Sequence, residues 1–160
     1  MKITLHEIAI ADIVKGYVNN NEEGVVGYDG KLNIRPPYQR EFVYKDPQKV
    51  AVIDTILKGF PLNVMYWAKN EDGTYEVLDG QQRTLSFCEF LTTTNFHIKN
   101  EDGRAMYFHS LPKSEVDTIH NYKVMVDICE GSDKERLKWF ETINIAGEKL
   151  TDQELRNAVY

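Results

Sequence analysis

The chain has 160 residues, 42% hydrophobic and 28% charged, the balance of a soluble globular protein and enough length for one domain with its own core. Its 25 acidic against 19 basic residues give a net charge of −6. That speaks against a broad basic face for non-specific duplex binding, yet leaves room for a pocket in which two or three arginines hold one small anion.

Cys88 and Cys129 are too few for a disulfide framework and sit in apolar runs, so buried free thiols are expected. No secretory signal precedes residue 20, and no run approaches the roughly 20 apolar residues of a membrane span, so the expected location is the cytoplasm. In chain order, Leu5, Ile8, Ala9, Ile13 and Tyr17 form a helical stripe, which predicts a helix over Leu5–Tyr17. Asn19–Glu23 reads as a polar loop. Val25–Val26 and Leu32–Ile34 flank Asp29-Gly30 and predict a hairpin.

The next helix has Asp46 as its expected N-cap, Pro47 in the first helical position, Gly59 as its stop and an apolar face of Val50, Ile53, Ile56 and Leu57. Strands are predicted at Asn63–Ala68 and Thr74–Leu78, joined by a turn at Asn70–Gly73. A helix follows, with Leu85, Cys88 and Leu91 at helical spacing, ending near Thr92–Thr94. Asn95–Ile98 and Ala105–Phe108 flank another Asp-Gly turn, Pro112–Thr118 predicts a short helix and Lys123–Cys129 a strand. Two capping boxes close the chain: Ser132 with Glu135, opening a helix through Ala146 stopped by Gly147, and Thr151 with Glu154. The abrupt ending at Asn157–Tyr160 is that expected of a fragment of a longer protein, and 1–160 reads as a single domain without repeats or linkers.

Three constellations carry chemistry. In Asp79-Gly80-Gln81-Gln82-Arg83 a strand turns through glycine into a helix, which presents backbone N–H groups and a positive dipole end where anions bind. Arg83 adds a charged fork suited to phosphate oxygens. The plain structural reading is a solvated turn, since Asp-Gly recurs at Asp29, Asp72 and Asp102. In Ile34–Tyr44, Arg35 and Arg40 are interleaved with Gln39, Tyr38, Phe42 and Tyr44 behind Pro36-Pro37; guanidinium suits phosphate and aromatic faces suit a base. The alternative is a proline-rich loop pinned to the core. In Phe140–Thr151 a helix end and a new N-cap explain most residues, and Asn144 faces a site or caps carbonyls. His6, His97, His109 and His120 lack metal-ligand spacing, Ser86, Cys88 and Ser110 lack a nucleophile motif, and there is no P-loop.

Taken together, Pro-x-Tyr-Gln-Arg at 36–40, the Asp79–Arg83 run, and Asn144 followed by Gly147, Leu150-Thr151 and Glu154–Ala158 resemble the N-terminal domain of GmrSD-type proteins. The resemblance runs from about Leu5 to the chain end. It implies an α+β, ParB/sulfiredoxin-like fold: a small mixed sheet with packed helices. It also implies a nucleotide-handling domain of a bacterial anti-phage protein that restricts modified DNA, with Asp79–Arg83 associated with nucleoside-triphosphate hydrolysis. A nuclease domain usually lies further on in such proteins, so DNA is an expected partner only through domains beyond this chain.

The ligand implied is a nucleoside triphosphate with Mg²⁺. Asp79 and Arg83 are the catalytic candidates, and Asp79 is also the magnesium contact. Tyr38, Gln39, Arg40, Gly80, Gln81, Gln82, Arg83 and Thr84 are the nucleotide-binding candidates, with Arg35 and Asn144 as further ones. Sulfiredoxin chemistry is not expected, because Gln81 stands where that activity needs its cysteine. The doubled proline of Arg35-Pro36-Pro37-Tyr38 departs from the family's usual single proline. The rival expectation is a DNA-binding or sensing module without turnover.

Overall fold

A computed structural model describes residues 1–35 and 43–143. In chain order the elements are β1 (Lys2–Ala9), α1 (Ile10–Val14), β2 (Val18–Asn19), a 3₁₀ turn at Asn21–Glu23, β3 (Val25–Gly27), β4 (Leu32–Arg35), α2 (Asp46–Leu57), β5 (Met65–Lys69), β6 (Tyr75–Asp79), α3 (Gln81–Thr92), β7 (Ile98–Lys99), β8 (Ala105–Met106), α4 (Lys113–Asn121) and β9 (Lys123–Glu130). Residues 133–143 form a further helix, α5. The fold is α+β.

Seven strands make one mixed sheet in the order β1-β9-β5-β6-β4-β3-β2, with β7 and β8 apart as a small hairpin. β5 lies parallel to β9 and β4 parallel to β6, while the other neighbours are antiparallel. The register separates the two faces. Ile8, Val124, Val126, Met65, Trp67 and Val77 share one face and form a single core with Ile10, Ile13, Val52, Ile53, Ile56, Phe87 and Phe90 of the helices. On the other face Tyr66 meets the Trp139 ring of α5, and Arg136 of α5 reaches Glu76 and Asn70. No helix among the described residues is long and apolar enough to cross a membrane.

Several expectations shift. Leu5–Tyr17 is not one helix: Lys2–Ala9 pairs with β9 over eight residues, and the helix is only Ile10–Val14. Leu5, Ile8 and Ala9 of the stripe fall in the strand and Ile13 in the helix, and the long antiparallel ladder overrides the weak helical stripe. Asp46 is not the N-cap of α2. Lys45 occupies that place, its N–H donating to Gln48 Oε1 at 2.8 Å, and Asp46 supplies the acidic first turn. In α3, Leu85 and Leu91 are only partly buried, whereas Thr84, Ser86, Phe87, Cys88 and Phe90 face inward.

The Asp29-Gly30 hairpin, the Gly59 stop (φ +70°), the Asn70–Gly73 turn and the Ser132–Glu135 capping box form as expected. Cys88 and Cys129 are buried free thiols. The ends expected at Gly147 and Thr151–Glu154 lie outside the described residues.

Candidate functional site

The candidate site begins where β6 stops. Gly80 follows Asp79 with φ +101° and ψ 12°, a left-handed conformation that lets the strand turn at once into α3. A β-carbon there would stand 2.6 Å from Met65 Cγ, so the buried Met65 side chain closes the space as well. The turn is braced from beneath by Thr84, which is wholly buried. Its N–H and its hydroxyl both donate to the Gly80 carbonyl, at 3.0 and 2.8 Å. Thr84 therefore shapes the turn rather than offering its hydroxyl to a ligand. The Thr84 N–H closes the first turn of α3 onto the Gly80 carbonyl, at the helix end where the dipole favours anions.

Arg83 and Asp79 lie one helical turn apart across Gly80. Arg83 Nη2 is 3.3 Å from Asp79 Oδ2, and Arg83 Nη1 donates to the Asn63 carbonyl just ahead of β5. The arginine side chain is only 14% exposed, while the Asp79 carboxylate is 46% exposed and keeps one side open to solvent. Among the described residues no three His, Cys, Asp or Glu side chains cluster to hold a metal. A magnesium ion on Asp79 would have to complete its shell with water and phosphate oxygens, as this ion commonly does.

Gln82 looks the other way. Its Oε1 accepts the Tyr44 N–H at 3.0 Å, tying the chain just ahead of α2 to the first turn of α3. Beyond it a cleft of about 210 Å³ runs along the α3 face formed by Gln82, Leu85, Ser86 and Glu89. That face lies about 100° round the helix from Arg83. Tyr17, Asn19 and Val25 form the opposite wall. Burial pushes the Tyr17 hydroxyl up to about 12, so it stays protonated as a donor at neutral pH. Lys49 of α2 meets Glu89 with its Nζ 3.1 and 3.0 Å from the two carboxylate oxygens, both side chains largely shielded.

Arg35 and Val43, which flank residues 36–42, both line this cleft. Arg35 donates to the Asn21 carbonyl and forms no ion pair among the described residues. Of the residues singled out in the sequence, Asp79 to Thr84 are thus gathered on one turn, with Arg35 on the cleft that Gln82 opens. Tyr38, Gln39, Arg40 and Asn144 lie outside the described residues. Asn63, Met65 and the Lys49–Glu89 pair were not among the site residues read from the sequence, because each acts through a carbonyl, a contact or a partner 19 to 40 positions away, and Tyr44, noted there for its ring, acts instead through its backbone N–H.

The model of the family described as the GmrSD restriction endonuclease, N-terminal domain, matches residues 14–160. The chain belongs to that family. No curated protein and no solved structure matches it. Within a GmrSD N-terminal domain, the described site is therefore a strand–glycine–helix turn that carries an Asp–Arg pair and opens on a cleft.

Proposed function

We propose that this domain binds a magnesium nucleoside triphosphate at the turn between β6 and α3 and hydrolyses it, as the nucleotide-handling part of a bacterial restriction system directed against modified phage DNA. The observation that carries the reading is Gly80. Its left-handed backbone and its closure against Met65 turn β6 directly into α3, the strand–glycine–helix geometry that a phosphate cradle uses. Asp79, half exposed beside it, is placed to contact magnesium or orient water, and Arg83 to meet developing phosphate charge. The ends of the segment bearing Tyr38, Gln39 and Arg40, namely Arg35 and Val43, line the adjoining cleft, which supports those residues as a second wall. The family supports the restriction context, and the ParB-like kinship rests on the motifs.

One observation favours a second reading, a sensing module that holds DNA phosphate without turnover. Arg83 is committed to Asp79 and Asn63, so turnover requires that pair to part. Calorimetric titration with magnesium triphosphates separates the readings. The first expects binding that Arg83→Ala weakens by about tenfold or more, with phosphate release on incubation. Unchanged affinity in Arg83→Ala removes Arg83 from the site. Binding of DNA alone, falling steeply with salt, supports the second reading.

A further inference from the structure

The cleft along α3 has a size and lining that phosphate chemistry does not use. At about 210 Å³ it is smaller than the roughly 300–1,000 Å³ of pockets that enclose whole drug-sized ligands. It cannot enclose a nucleoside triphosphate, but it has room for one ring system. Tyr17, Val25 and Leu85 give it flat and apolar walls.

Deeper along α3 it is bordered by Lys49 and Glu89, only 16% and 21% exposed. Shielding a charge pair from water is costly, and apolar side chains of similar volume commonly hold two helices together as well or better. A charged pair beside a cavity has another use. An ammonium carries three donors and a carboxylate about four acceptor sites, so the pair keeps hydrogen-bonding capacity for a third group. Nucleobase edges supply the complement, an acceptor beside an N–H donor. Gln82 belongs both to the first turn of α3 and to the cleft, and Glu89 lies seven residues further on. That is about 10 Å along the helix, a reach suited to a sugar and base extending from a phosphate at the helix end.

We propose that this cleft is the nucleoside subsite of the triphosphate site, with the base between Tyr17 and Leu85 and its hydrogen-bonding edge on the Lys49–Glu89 pair. The inference rests on the phosphate reading of the Gly80 turn. Phosphates leave the cleft past Gln82, so cleft and turn make separable contributions to binding. Glu89 and Lys49 then govern base preference, and the turn governs affinity for the phosphate chain.

The test titrates the whole chain, with magnesium, against the four ribonucleoside triphosphates and against inorganic tripolyphosphate. Asn19→Trp puts an indole at the exposed rim on β2, and Glu89→Gln neutralises the acceptor; melting curves report whether each variant folds. The wild type is expected to bind at least one nucleoside triphosphate about tenfold more tightly than tripolyphosphate. Asn19→Trp brings the two affinities within about twofold of each other and leaves tripolyphosphate unchanged. Glu89→Gln changes the ranking of the bases, which the loss of a merely structural bridge would not do. Equal wild-type affinities for tripolyphosphate and all four nucleotides overturn the subsite and leave the phosphate reading standing, and this outcome needs no variant to fold. Unchanged ratios and ranking in two folded variants also overturn it. Binding of neither ligand class overturns the phosphate reading and the subsite with it.

Discussion

Gly80 shows why the Asp-Gly dipeptide alone is uninformative. Gly30, Gly73 and Gly103 also follow aspartate with positive φ, but a β-carbon at any of them would meet nothing within 4 Å. At Gly80 it would meet Met65 at 2.6 Å. Gly80→Ala is therefore expected to lose about 2–5 kcal/mol, from a left-handed penalty of about 1–2 and an overpacking cost of about 1–3. Urea unfolding checks this, with Gly73→Ala as the comparison that carries only the backbone penalty. Thr84→Val keeps the buried shape and deletes a hydroxyl, while the Gly80 carbonyl retains the Thr84 N–H, so its expected cost is smaller, about 1 kcal/mol. The turn was legible because strand, glycine and helix are local features. The commitment of Arg83 to Asn63 was not, since a backbone carbonyl 20 residues away has no residue-type signature.

Among the elements, the Ser132–Glu135 cap was read correctly, the Asp46 cap was one residue off, and periodicity failed over Leu5–Tyr17. The Ser132–Glu135 box forms because both partners sit within one turn. Glu135 has a further partner invisible in the sequence: the Met1 ammonium, 2.7 Å from its carboxylate. Hydrogen bonding to that ammonium, then to Ser132, holds the Glu135 carboxyl down at about 2, against an ordinary value of 4.5. A depressed carboxylate stabilises above its unfolded value and loses that contribution as pH falls from about 4.5 to 2. The Met1 amine is raised above 8.0 by the same contact, so its share is present below that value and lost as pH climbs through the raised one. In protein with a free Met1 amine, Glu135→Gln should lower the melting temperature at pH 7 and converge with the parent near pH 2. A gap that persists unchanged at pH 2 would assign the loss to the capping geometry alone. The Leu5–Tyr17 stripe failed for the opposite reason. Its strand character comes from pairing with β9, more than a hundred residues away.

Across the whole molecule, the strand order could not be read from local patterns, because it places the last described strand, β9, between β1 and β5. That insertion gives the sheet unequal ends. β2 ends it with two residues, a short edge that offers little to a passing chain, while β1 ends it with eight and pairs only with β9 among the described residues. Ile3 and Leu5 lie on one face of β1, 45% and 53% exposed, so among the described residues this edge combines hydrogen-bonding groups that face no partner strand with apolar side chains. Such an edge invites strand pairing between molecules. Ile3→Lys with Leu5→Lys is expected to change unfolding free energy by no more than about 0.5 kcal/mol per site, since neither side chain is buried. The same pair should delay the onset of light scattering on heating, because lysine on an open edge resists pairing. A loss of about 2 kcal/mol or more per site would instead mark burial of both side chains in the folded protein, and would identify β1 as a covered strand rather than an open edge.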